Sequence, residues 1–264
     1  INAQNSQGNI ISFSRSDESL INNFATSAAL AVERAQMTRN IIMRMTSMAE
    51  LRDPTETGAH VNRVAAFSVE LYETWARKKE VPAYQIERQK DILRMAAMLH
   101  DVGKVAISDL ILKKPGQLSP HEFDIMKSHT YIGARLFQNA QSEFDDVAAE
   151  VALSHHEKWD GTGYPGHMDP ATGKAVPGFE GPNGKPLTKK GEEIPLFGRI
   201  VAVADVYDAL CFRRSYKDPW DDGRIVEEMH RCSGNHFDPE IIDAFFSCSD
   251  VLKSIAERYP DDKK

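Results

Sequence analysis

The sequence predicts an all-α protein, on three observations. Apolar residues recur at three- and four-residue spacing, strand-type alternation is almost absent, and helix start signals stand where the periodic runs begin. From Ser16 the chain reads as one long helix. Ser16 is its expected N-cap, Asp17 and Glu18 fall in the first turn, and Leu20, Phe24, Ala28, Ala31, Ala35, Ile42, Met45 and Met48 share one stripe. Such a stripe belongs to a core or to a helix-pairing seam. "GNIISFS" before it reads as a short strand, the trailing edge of a preceding domain. "RDP" at Arg52 to Pro54 ends the helix, because a residue before proline avoids the helical region.

Further helices are expected over 57–80, 83–100, from Ser119, over 143–156 and 195–213, with two more near the C-terminus. Ser119 has a full start signal, with Pro120 at the first helical position and Glu122 at the third. Between Gly166 and Ile194 the chain runs "HMDPATGKAVPGFEGPNGKPLTKKGEE" without periodicity. A loop of that length is expected to be a lid or a mobile excursion.

The 264 residues suffice for one large domain, or for one domain and a fragment of another. Hydrophobic residues at 41% and charged ones at 27% describe a soluble globular chain. A net charge of −7 argues against DNA or RNA held on a broad basic face. A small phosphate ligand stays open, since bound cations would reverse the sign locally. No apolar run approaches the roughly 18 residues of a membrane span, and no export signal opens the chain, so a cytoplasmic location is expected. Cys211, Cys232 and Cys248 are an odd count without metal-type spacing and read as reduced thiols. A start at Ile1 suggests a fragment of something longer.

The chemistry-bearing residues are His and Asp. "MLHDVGK" ends a helix with His100 and Asp101 adjacent, and Gly103 is expected to let the backbone turn before Lys104. His60 lies near the start of an earlier helix, His129 on a later one, and His155 and His156 stand side by side in "SHHEKWDGTGYP". Asp205 sits at the centre of the apolar "RIVAVADVYDAL", where a charge needs a partner or a metal. Five imidazoles and two carboxylates suit Fe, Mn or Zn and are too many for one tetrahedral ion. They suggest two or more ions, roughly 3.5–4 Å apart, sharing a hydroxide for in-line attack on phosphorus. Adjacent histidines at a helix end can serve such a cluster, one by helical direction and the other as the helix unwinds. His121, His167, His230 and His236 read as ordinary core or surface residues.

"HDVGK", "HH" and "GTGYP", in that order and spacing, resemble the HD-GYP family, a branch of the HD metal-dependent phosphohydrolases, over about residues 50–250. The resemblance implies an all-α HD helical bundle with a C-terminal HD-GYP extension. It implies hydrolysis of cyclic di-GMP to linear pGpG, and in many members on to GMP. Carried over by position, His60, His100, Asp101, His129, His155, His156 and Asp205 are metal ligands, with Asp101 bridging two ions. Glu56, four residues before His60, resembles the acid of members that hold three metals, usually iron, where others hold two. Three ions, with iron favoured over manganese, are therefore expected.

Lys104 matches the family lysine that contacts the scissile phosphate, and Tyr164 the residue that packs on or hydrogen-bonds to the nucleotide. Arg214 and Lys217 in "FRRSYKD" match an "RPYK" element that reaches the second phosphate or a guanine, with Ser215 in place of the family's proline. Asp208, one turn after Asp205, is expected to orient a ligand histidine or to help bind substrate. A bridging hydroxide is expected to attack phosphorus while Lys104 offsets developing charge and the ribose 3′ oxygen leaves. The segment after Gly166 is expected beside the pocket, modulating access. Two other functions compete: a silent cyclic-dinucleotide module that signals by contact with other cyclic di-GMP signalling proteins, and a phosphodiesterase preferring 3′3′-cyclic GMP-AMP. A complete ligand set favours the enzyme over the silent module. "FSRSDESLINNFATSAALAVERAQM" resembles the closing helix of a GAF sensor domain. The expected organisation is a GAF-like remnant and linking helix over 1–50, then an HD-GYP phosphodiesterase domain over 51–264, dimerised through paired N-terminal helices.

Overall fold

A computed structural model describes residues 3, 4, 7–50, 52, 58–212 and 220–261, and it is all-α but for two short hairpins. Residues 1–44 form one compact unit and residues 45–264 another. In the first, β1 (Ala3–Gln4) pairs antiparallel with β2 (Ile10–Ile11), with Ala3 opposite Ile11. Helix α1 (Arg15–Glu50) follows. Its cap is Ser14 and not Ser16: the Asp17 amide donates to Ser14 Oγ, and the Ser14 amide donates back to the Asp17 carboxylate at 2.8 Å. Ser14 wins because a carboxylate stands three residues on to reciprocate, where Ser16 has only Ser19. The apolar stripe expected on this helix lies in the open over the first unit, with Leu20 70% and Phe24 75% exposed.

In the second unit α2 (Gly58–Lys78) is the central element, packed on α3 (Ala83–Ala97) and α8 (Leu196–Cys211). Val64, Phe67 and Leu71 of α2 meet a core that includes Leu93, Ile200, Val201 and Val203. Each such side chain contributes about 1.5–3 kcal/mol on burial. The expected 83–100 helix stops at Ala97, and His100 and Asp101 lie in the turn between it and a 3₁₀ segment, Val102–Ala106. After α4 (Asp109–Leu112), helix α5 (Pro120–Lys127) starts at the predicted Ser119 capping box. A break at Ser128 then begins α6 (His129–Arg135) as a separate helix, and α7 (Glu143–Ser154) packs against α6, α3 and α8.

The 166–194 stretch is more ordered than a loop: β3 (Met168–Asp169) pairs with β4 (Lys174–Ala175), and two short 3₁₀ turns follow. The C-terminal region holds three helices where two were expected, α9 (Asp222–Cys232), α10 (Pro239–Ser247) and α11 (Ser249–Arg258). The break between the last two falls at Cys248 without a proline or glycine, so no local signal announces it. Among the described residues no helix is long and apolar enough to cross a membrane. Cys232 and Cys248 are buried, Cys211 partly so, and none forms a disulfide.

Candidate metal centre

Four helix ends and one helix centre supply the site. His60 is on the first turn of α2, His100 and Asp101 follow α3, His129 opens α6, His155 and His156 follow α7, and Asp205 lies mid-way along α8. They gather into two groups: Asp101 with His129, His155 and His156, and His60 with His100 and Asp205. Within each group one ligand atom per residue lies within 4.8 Å of every other. Asp101 links the two, with Oδ1 3.1 Å from His129 Nε2 and Oδ2 3.3 Å from His100 Nε2.

Close packing brings these ends together. A Cβ on Gly103 would run into the His129 carbonyl and the Gly133 amide, so the 3₁₀ segment lies directly against α6. Gly103 is not among the glycines with positive φ. Gly103 therefore serves close approach of the two backbones and not the turn expected of it.

Most of the imidazoles are fixed from behind by backbone carbonyls three or four residues before them. The Nδ1 atoms of His100 and His129 lie 2.8 and 2.7 Å from the carbonyls of Ala97 and Met126, and His155 Nδ1 lies 3.1 Å from those of Val151 and Ala152. A carbonyl only accepts, so Nδ1 carries the proton and, in the neutral ring, Nε2 keeps its lone pair. Burial lowers the pKa of His155 against the opposing pull of Asp101, and burial with the neighbouring His155 lowers that of His156 further. Burial alone would raise Asp101, but Lys104 and His100 outweigh it and hold the carboxyl well below the usual range. A carboxylate thus faces imidazole lone pairs. Nε2 of His129 and of His155 and Oδ1 of Asp101 are buried without hydrogen-bond partners. Orphaned buried acceptors converging on one point fit a bound cation.

His60 is oriented differently. Its Nδ1 lies 2.7 Å from Asp208 Oδ2 while Nε2 lies 3.8 Å from Asp205 Oδ1. Asp208 is 2% exposed, and its carboxylate oxygens are engaged by His60 and Arg63. Burial opposes its charge, but His60 and Arg63 outweigh that and keep it ionised.

Lys104 Nζ lies 2.7 Å from Asp101 Oδ2. The Tyr164 ring is 4.9 Å from that of His156 and 6.0 Å from that of Phe123, and burial pushes its phenol well up. Glu56, Arg214, Ser215 and Lys217 lie outside the described residues.

Two residues went unnoticed in the sequence. Glu157 is 2% exposed, accepts from the Gly166 amide at 2.5 Å and so ties the "GTGYP" loop to the end of α7; burial raises its carboxyl to about 7. Its position directly after the histidine pair was the available signal. Arg63 is 1% exposed on the buried face of α2, and a charged residue in "HVNRVAAF" was a signal of the same kind. The hairpin segment hangs on α6: Arg135 donates to the Pro170 carbonyl and Gly173 lies against the Tyr131 ring.

Residues 57–210 match the HD domain family. Over 232 residues, 88% of this chain, the sequence is 36% identical to 3′3′-cGAMP-specific phosphodiesterase 2 of Vibrio cholerae, covering 39% of it. It is 36% identical over 92% of its length to a cyclic di-GMP phosphodiesterase of the same organism, covering 46% of that protein. A cyclic di-GMP phosphodiesterase of Thermotoga maritima is 37% identical over 81% of this chain, which covers 50% of it. The chain therefore spans half or less of the length of these curated relatives.

Proposed function

The chain belongs to the HD domain family, and on that premise we propose that it is of the HD-GYP type and hydrolyses cyclic di-GMP to pGpG, GMP or both. One observation carries this: two adjoining groups of carboxylate and imidazole, joined through Asp101, with buried ligand atoms left unsatisfied. His60, His100, Asp101, His129, His155, His156 and Asp205 would hold two divalent ions, iron or manganese, and Glu56 a third. Such ions supply an activated water and neutralise phosphoryl oxygens.

The chain's own side chains supply position and charge. Asp101 stays ionised, burial keeps His155 and His156 neutral, and the backbone-held Nδ1 atoms of His100 and His129 fix which nitrogen faces inward. Lys104, beside Asp101, offsets charge developing on the phosphate. Tyr164 forms a wall next to His156 on which a purine can pack, and Arg214 and Lys217 would take the second phosphate or a guanine.

The relative named for 3′3′-cGAMP favours that nucleotide as a second reading. We further assign residues 1–50 to the end of a GAF-like sensor domain with its linking helix, and 51–264 to the phosphodiesterase domain, in a cytoplasmic protein. The exposed Leu20, Phe24 and Met37 suit pairing of that helix with a second copy.

The test is elemental analysis of protein purified without oxygen, with chromatography of products from cyclic di-GMP and 3′3′-cGAMP. Two or three ions per chain with pGpG or GMP support the main reading, and three favour Glu56 as a ligand. Cleavage of 3′3′-cGAMP alone supports the second. A loaded protein that cleaves neither would overturn both.

A further inference from the structure

On the metal reading of the two groups, we propose that Arg63 is a positioning residue of the centre: it clamps the Asp208 carboxylate against His60 Nδ1 and so aims His60 Nε2 at the ion shared with His100 and Asp205. A guanidinium buried to 1% is costly unless every donor direction is used. Here they are. Nε and Nη2 take both oxygens of Asp208 in a two-pronged bond, Nη1 donates to the Tyr259 carbonyl at 2.7 Å and to Asp261 at 2.8 Å, and the Phe212 ring lies 3.4 Å below the plane.

The contrast with the other ligands gives the arrangement its purpose. His100, His129 and His155 are set by carbonyls three or four residues away on the same segment, which move only with the helix. His60 is set by a carboxylate 148 residues away, on a side chain with its own rotamers. Without a clamp, Asp208 can turn, and the imidazole with it. Arg63, one turn along from His60 on α2, supplies that clamp and ties it to the segment that follows α11.

The experiment titrates metal-free protein with Co²⁺ alone, followed by visible absorbance and by elemental analysis after gel filtration. His60→Ala identifies which ion depends on that ligand. In Arg63→Lys the charge remains and the two-pronged bond is lost. The same ion should bind at least about tenfold more weakly while the other stays within about twofold of wild type. If Arg63 only supports the fold, the metal-free variant melts earlier but both affinities are unchanged, and the proposal is overturned. Should Arg63→Lys fail to fold, Asp261→Ala decides, since that side chain is partly exposed. A few-fold loss confined to the His60-dependent ion supports the clamp, and equal affinities overturn it. Wild-type protein that takes up no Co²⁺ would remove the metal reading itself, and the clamp with it.

Discussion

The two halves of the candidate metal centre are held in place by different means. Around Asp101, His129 and His155, each imidazole is fixed by a carbonyl from its own segment, and the bases of the rings are part of helix ends that pack through glycine. In the other half His100 is likewise held by the Ala97 carbonyl, but the orientation of His60 depends on a buried ionic relay through Asp208 and Arg63 to Asp261, spanning 198 residues of sequence between its last two members. A local arrangement forms with its helix and tolerates distant change. A relay assembles only when the whole domain has closed, and its parts are individually breakable. Asp101 joins the halves, so damage there should be felt by both.

The sharpest test of that difference compares Asp101→Ala with His60→Ala. Loss of Asp101 removes the shared carboxylate, and turnover should fall below a few per cent with both ions reduced in elemental analysis. His60→Ala should cost one ion per chain and leave the other. If Asp101→Ala retained more than a few per cent of activity, its bridging place would be lost from the account. Equal ion loss in both variants would erase the distinction between the halves.

Lys104→Met probes the Asp101 half without removing a ligand. A cation placed to meet developing charge is worth about 10²–10³ in rate, so kcat should drop by about that much while ion content holds. A drop confined to KM would reassign Lys104 to ground-state binding.

The legibility of the two halves in the sequence follows the same division. His100, Asp101, His155 and His156 stand out because they are adjacent pairs in helix-end settings, and the Ser119 start is complete within four residues. The relay was half visible: Asp208 falls one turn after Asp205, but nothing local connects Arg63 to Asp208 or to Asp261. Periodicity located most helices because an amphipathic face is a local property. It missed the Ser128 and Cys248 breaks, where tertiary packing ends one helix and starts another without a proline or glycine. Gly103 was seen as a breaker when its role is to let two backbones touch, a fact that belongs to the partner helix and not to "HDVGK".

Glu157→Ala asks whether the loop that presents Tyr164 depends on the end of α7. It leaves the Gly166 amide without its acceptor, a loss of about 1–3 kcal/mol for a buried donor. If that loosening is felt where Tyr164 meets substrate, KM should rise about tenfold, each 1.4 kcal/mol being one power of ten. An unchanged KM with a lowered melting temperature would confine Glu157 to stability.

The smallest effect should come from the hairpin segment, which touches the centre only at second hand. The His167 amide donates to the Leu187 carbonyl, so the two ends of the excursion already meet and residues 169–186 can be replaced by a short linker without stretching the chain. What the excursion touches is the outer side of α6, through Tyr131 and Arg135, while His129 at the start of the same helix faces Asp101. Because His129 takes its orientation from Met126, one turn before it, and not from the residues beneath the hairpin, ion content should survive the trimming. Access is the property left to change, as a shift in KM of a few-fold with kcat held. Identical kinetic constants in the trimmed protein would end any role for the segment at the pocket. A loss of ions would instead show that α6 needs its outer cover, making the Asp101 half less local than its hydrogen bonds imply.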